Sequence, residues 1–191
     1  MFYKKELQTE FRSCASITAD VNEMVAASGV KEGLCVVSVP HTTAALVITS
    51  FWDPRGLADL MDEIDRNIPT RVSYKHQDSP YDASGHVKSA MIGSSATLII
   101  HEGKLVLGSS QGLVFVEFDG PRPREFYVQV IEKPLAIEKV NVGTVYMGMH
   151  DITGEVRDVV RRSGVKDGIC HVSVLHSTAG LVLAPADEAS R

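Results

Sequence analysis

The chain has 191 residues, 44% of them hydrophobic and 23% charged, with a formal net charge of −5. That balance describes an ordinary soluble chain of one domain or two small ones, with no basic stripe for nucleic acid and no apolar run near the ~18 residues of a membrane span. The opening Met1-Phe2-Tyr3-Lys4-Lys5-Glu6 lacks a signal's apolar core, and three cysteines make no disulfide framework, so Cys14, Cys35 and Cys170 read as buried, reduced thiols of a cytoplasmic protein.

In chain order, residues 2–14 read as a strand with polar interruptions. Apolar residues at Ile17, Val21, Met24 and Val25 have helical spacing, and Ser28-Gly29 ends that helix. Strands over 34–39 and 44–49 follow, separated only by Pro40-His41-Thr42-Thr43. Asp53-Pro54 opens a second helix, because Pro suits the first helical position, and Leu57, Leu60, Met61, Ile64 and Ile68 give it one apolar face. Residues 70–85 read as a long polar loop, a length that usually signals function or disorder. Apolar stretches at 87–92, 96–100, 104–107, 113–118 and 126–131, separated by turn residues, predict short antiparallel strands. The fold class is therefore α+β, a mainly antiparallel sheet with two or three helices packed on it.

The chain then repeats its own beginning. Residues 28–48 recur as residues 163–183, offset by 135, with 14 of the 21 positions identical. Ser38-Val39-Pro40-His41-Thr42-Thr43-Ala44 becomes Ser173-Val174-Leu175-His176-Ser177-Thr178-Ala179, and residues 152–162 repeat the first helix's pattern. Such self-similarity divides the chain into a complete unit, 1–133, and a partial second copy, 134–191. The second copy holds an apolar pair, 169–174 and 181–183, in need of a partner. It is expected not to fold alone, but to pack on the first unit or a neighbouring chain, or to belong to a longer tandem protein.

Four constellations can carry chemistry. His41-Thr42-Thr43 puts an imidazole and two hydroxyls at a strand end, as a metal ligand or general acid/base. His76 and His86 flank the end of the long loop. With His41 they make three imidazoles, the ligand set of an open zinc site, with Asp78 or Asp82 to orient a ring. Gly93-Ser94-Ser95 and Gly108-Ser109-Ser110-Gln111-Gly112 offer backbone N–H groups and polar side chains to an anion. Asp119-Gly120-Pro121-Arg122-Pro123-Arg124 sets two arginines where they can clamp a phosphate. No Walker loop, dinucleotide fingerprint, Cys-pair zinc motif or nucleophile elbow is present.

In this order, His41-Thr42-Thr43-Ala44, Trp52-Asp53-Pro54, Tyr74-x-His76, Gly85-His86-Val87-Lys88-Ser89, Gly93-Ser94-Ser95, Gly103-Lys104-Leu105-x-Leu107-Gly108-Ser109-x-Gln111-Gly112 and Glu117-Phe118-Asp119-Gly120-Pro121-Arg122-x-Arg124 resemble the YjbQ family, secondary thiamine-phosphate synthases. The resemblance spans essentially all of residues 1–133. It implies a trimer with histidine sites near subunit boundaries. It also implies condensation of a hydroxymethylpyrimidine pyrophosphate with a thiazole phosphate. The family's site histidines fall on His41, His76 and His86, which suggests a bound divalent metal, zinc. Thr42, Thr43, Ser94, Ser95, Gln111, Arg122 and Arg124 are the expected contacts to a phosphorylated small-molecule substrate. Two departures touch the site: Thr49-Ser50 stands where the family commonly has Asn-Glu, and Ser110 where it often has Trp. A metal-dependent hydrolase of a phosphorylated or amide substrate and a non-catalytic trimeric anion-binding module are the alternatives.

Overall fold

Two antiparallel sheets carry the core of the computed structural model, which describes residues 1–70, 73–76, 79–133, 136–146 and 148–182. In chain order the elements are β1 (Phe2–Thr9), β2 (Ser13–Ser16), α1 (Thr18–Ser28), β3 (Gly33–Ser38), β4 (Ala44–Ser50), α2 (Pro54–Asn67) and α3 (Pro80–Ile92). They continue with β5 (Ser95–His101), β6 (Lys104–Leu105), β7 (Gln111–Glu117), β8 (Arg122–Glu132) and α4 (Thr153–Ser163). The larger sheet runs β1-β8-β3-β5-β6 and the smaller β2-β7-β4. The architecture is α+β, with curled antiparallel sheet and four helices among the described residues.

Period-two alternation explains how the layers meet. Cys35 and Val37 of β3 point inward with Val128 and Val130 of β8, and Leu113 and Phe115 of β7 close over them from the smaller sheet. α1 adds Val21 and Val25 to the same core. The alternate residues of β7, Val114 and Val116, face the other way, with Phe118 just beyond the strand, toward Met61 of α2. β7 is covered on both faces, and so it reads as a near-continuous apolar run. Each fully buried side chain of this size contributes about 1.5–3 kcal/mol.

The chain departs from the sequence expectation in four places. The predicted strand 2–14 splits at Arg12, whose φ of 46° turns the chain, so β1 and β2 join different sheets. Residues 87–92 are helix rather than strand, and the predicted loop 70–85 loses its last six residues to α3. The physical reason is a strong start: Pro80 occupies the first turn and the Ser79 hydroxyl accepts from the Asp82 N–H at 3.0 Å. Cys170 is exposed, unlike buried Cys35 and half-buried Cys14, whose burial pushes their thiol pKa values up to about 12 and about 11. In the second copy, residues 169–174 carry no strand among the described residues, and Ile169 is 89% exposed. Leu183 and the residues after it lie outside the described residues.

Candidate functional site

Helix α3 builds the site because it can approach the sheet closely. A Cβ on Gly85 would stand 3.1 Å from the Thr43 Cβ, so glycine lets the helix backbone lie against the turn between β3 and β4. The Ser89 hydroxyl donates to the Ala44 carbonyl at 2.7 Å. One turn further into the protein, Lys88 is buried and its Nζ donates to Asp65 of α2 at 2.5 Å. Asp65 also pairs with Arg12 from the β1–β2 turn. Three elements are tied together at this carboxylate.

Asp82 and His86 are four residues apart on α3, so they share one helix face. The His86 Nε2 lies 3.3 Å from Asp82 Oδ2, and the His76 Nε2, from the segment before α3, lies 2.9 Å from the same oxygen. The two imidazoles meet edge-on at 5.3 Å between ring centres. One nitrogen or oxygen from each of His76, Asp82 and His86 falls within 4.8 Å of the others. Both histidine side chains are partly exposed, at 52% and 39%, while Asp82 is 18% exposed. The other face of His86 is fixed: its Nδ1 lies 3.2 Å from the Thr42 carbonyl, which can only accept, so Nδ1 carries the proton there. The other ring nitrogen, Nε2, is the one turned toward the Asp82 carboxylate.

Arg122 stands beside this cluster. Its Nε donates to Asp119 at 2.9 Å, and the guanidinium is half exposed. Its pKa is raised first by that hydrogen bond and further by the nearby charges of Asp82 and Glu117. Arg124, two residues along β8, is used differently. It is buried, with Nε and Nη2 donating to the two oxygens of Glu117 at 2.6 Å each, and Nη2 also reaches the Thr43 hydroxyl at 2.7 Å. Glu117 further accepts from the Thr9 hydroxyl and the Asp119 N–H.

The predicted site residues therefore separate. His76, His86 and the Thr42 backbone come together around Asp82, and Arg122 is near enough to feel the Asp82 charge. His41 does not join them: its Nε2 accepts from the Glu125 N–H at 2.9 Å, at the edge of a cavity of about 430 Å³ lined also by Leu7, Gln8 and Arg124. Its pKa is lowered, by burial first and then by the Arg124 charge. Thr43 and Arg124 belong to the Glu117 network. Ser94 gives its carbonyl to the Val39 N–H at 2.8 Å, and Ser95 opens β5 opposite Ser38. Gln111 is spent on the Gly108 N–H and the Val174 carbonyl. Asp78 lies outside the described residues. The sequence reading gave Asp82 only the task of orienting a ring, and it missed Glu117, whose signal was a carboxylate at the end of an otherwise apolar strand.

The chain's relatives agree with this fold. The sequence model described as UPF0047 protein YjbQ-like matches residues 4–133 and, a second time, residues 138–191. A UPF0047 protein of Methanocaldococcus jannaschii is 40% identical over 132 residues, 69% of this chain and 94% of that protein. The UPF0047 protein YugU of Bacillus subtilis is 33% identical over 116 residues, 60% of this chain and 86% of its own length. A yjbq/upf0047 family protein from Clostridium acetobutylicum superimposes with a TM-score of 0.65 at 38% identity, covering 68% of this chain and 99% of that one. A YbjQ-like protein of unknown function from Sulfolobus solfataricus superimposes with a TM-score of 0.63 at 28% identity, covering 70% and 99%. With two matches along its length and relatives of this similarity, the chain belongs to the YjbQ-like UPF0047 family.

Proposed function

We propose that the chain is a metal-assisted enzyme acting on a phosphorylated small molecule at the His76–Asp82–His86 cluster, and that its reaction is the thiamine-phosphate synthase-like condensation its motifs resemble. The observation that carries the reading is the convergence of those three donors on one partly exposed point. Two imidazoles and a carboxylate suit a divalent cation such as zinc, whose ligands at about 2.0–2.2 Å stand a little over 3 Å apart. The Nε2 of His86 and the Asp82 carboxylate face the same point, where both would serve as ligands to one cation.

In that reaction the carbon–oxygen bond to pyrophosphate breaks at a benzylic-type carbon, the thiazole phosphate bonds to that carbon, and negative charge collects on the departing group. A bound divalent metal supplies Lewis acidity toward those oxygens. Arg122 presents a half-exposed guanidinium, held in place by Asp119, to the same charge. Preorganised donors of this kind are worth about 10²–10³ in rate each. Thr42 keeps the His86 ring oriented through its carbonyl, a task that needs no side chain.

The test is turnover of hydroxymethylpyrimidine pyrophosphate with thiazole phosphate by zinc-loaded protein, beside a generic phosphate ester. Condensation that fails in Asp82→Asn and His86→Ala supports the reading. Ester hydrolysis with no dependence on the thiazole phosphate selects the hydrolase instead. Zinc bound without turnover of either substrate selects the binding module, and turnover unchanged in both variants removes the cluster from the chemistry.

A further inference from the structure

At the β6 edge of the larger sheet, β5 and β6 close a tight hairpin against the turn between α1 and β3. Gly33 pairs with Ile100 across the β3–β5 ladder, so Glu32 and His101 stand opposite each other one step beyond it. The His101 Nδ1 lies 2.9 and 3.1 Å from the two Glu32 oxygens, and the Glu102 N–H donates to one of them at 3.2 Å. The Gly103 N–H donates to the Lys31 carbonyl at 3.0 Å, so main chain and side chain hold the hairpin tip together. The wall it closes on is firm. The Glu32 carbonyl accepts from the Lys133 N–H at 3.2 Å, and a Cβ on Gly33 would meet the Ile131 carbonyl at 2.1 Å, so this turn lies tight against the end of β8.

The tip is less secure than its wall. β6 is an edge strand of two residues, paired with β5 alone, and Glu102 has a φ of 52°, a left-handed conformation that a residue with a side chain rarely adopts. The charges around His101 oppose one another. Glu32 and Glu102 favour its protonated form, while Lys104, opposite it across the hairpin, and Lys31, whose Nζ lies over Gly103, disfavour it. Glu132, opposite Gly33 at the end of β8, and Lys133 after it add one charge of each sign. The acidic side wins. The His101 pKa is raised, first by the Glu32 hydrogen bond, and the Glu32 pKa is lowered, first by the same bond. The ion pair is therefore complete only within a window: it is lost as pH falls through the folded Glu32 value, and again as pH rises through the folded His101 value. Above that upper edge the neutral ring can still donate from Nδ1, but the charge-assisted bond, roughly twice as strong as a neutral one, is gone.

We propose that the tip of the β5–β6 hairpin is a pH-sensitive latch: protonated His101 clamps residues 101–103 onto Glu32, and loss of that proton as pH rises past the ordinary histidine range loosens the tip while the sheet behind it stays intact. Buried Leu105 keeps β6 seated when the latch opens. The latch depends on neither the metal cluster nor the reaction proposed above.

The experiment compares the full chain with its Glu32→Gln variant at about pH 5.5 and about pH 8.5, either side of the ordinary histidine value of about 6.5. Cα relaxation gives order parameters at residues 101–103, with Ile99 and Ile100 as the reference, and the imidazole signals give the His101 midpoint. In the parent, the tip is expected at about 0.85 in acid and to fall toward about 0.6 at the higher pH, with Ile99 and Ile100 unchanged. Its His101 midpoint is expected above about 6.5. Glu32→Gln is expected to lower that midpoint and to leave the tip loose at both pH values. Four results overturn the proposal: a tip equally ordered at both pH values, a His101 midpoint at or below the ordinary one, loosening that spreads to Ile99 and Ile100, or a pH response that survives Glu32→Gln.

Discussion

Arg124 and Glu117 face each other across the smaller and larger sheets in a two-point ion pair, with side chains 7% and 0% exposed. Both contacts are 2.6 Å. This places a fully formed charge pair between β7 and β8 directly behind the turn that carries Thr42 and Thr43. Removing one partner leaves the other charge buried and alone. Arg124→Leu is expected to cost about 3–5 kcal/mol in urea unfolding, and Arg124→Leu with Glu117→Leu clearly less. Equal losses in the single and double variants would mean the pair contributes no mutual compensation.

The same pair sets an acid limit. Burial alone raises the Glu117 pKa, but the Arg124 hydrogen bonds, the Asp119 N–H and the Thr9 hydroxyl outweigh it, so the folded value is lowered. A lowered carboxylate pKa gives stability that is complete above the unfolded value of about 4.3 and is lost as pH falls through the folded value. Glu117→Gln is expected to flatten the stability profile below about pH 4.3, measured by urea midpoints across pH. An unchanged acid limb would remove Glu117 as its source.

His41 separates two views of the metal. Its ring is engaged by the Glu125 N–H, away from the His76–Asp82–His86 cluster. Zinc at about 100 times its Kd stabilises a folded protein by about 2.7 kcal/mol. That increment is expected to vanish in His86→Ala and to persist in His41→Ala, read as the rise in Tm on adding zinc. Loss of the increment in His41→Ala would restore the three-imidazole set read from the sequence.

The His41 pKa also has a sign. Burial and then Arg124 lower it, so its neutral form is favoured in the fold. The associated stability is present above the ordinary value of about 6.5 and is lost as pH falls through the folded value. An imidazole NMR titration is expected to give a midpoint below about 6.5, rising when Arg124 is replaced by Leu.

How much of this was legible in the sequence follows from what each element hides. α1 and α2 announced themselves because they bury apolar residues at helical spacing, such as Val21 and Val25, or Met61. α3 did not, because the residues it buries are Ala83, Ser84, Gly85, Lys88 and Ser89, mostly polar or small. Its signal was in the cap, Ser79-Pro80 followed by Asp82, and the apolar Val87 and Met91-Ile92 drew the reading toward a strand. His76 and His86 were recognisable as chemistry, and their nearness was guessed from the motif. The placing of His41, and the difference between Arg122 at the cluster and Arg124 in the core, depend on which way β8 and the β3–β4 turn face. One-dimensional spacing does not encode that.

Asp82 and His86 ride on one helix pinned by Lys88, Ser89 and the Gly85 contact, whereas His76 comes from the connection that leads into it. The cluster thus has a fixed jaw and a separately encoded one. Residues 73–76 lie outside the helix, its Ser79 cap and its Lys88 and Ser89 anchors. Substitutions at 73–76 therefore change one of the three donors, while Asp82 and His86 keep their places on the helix.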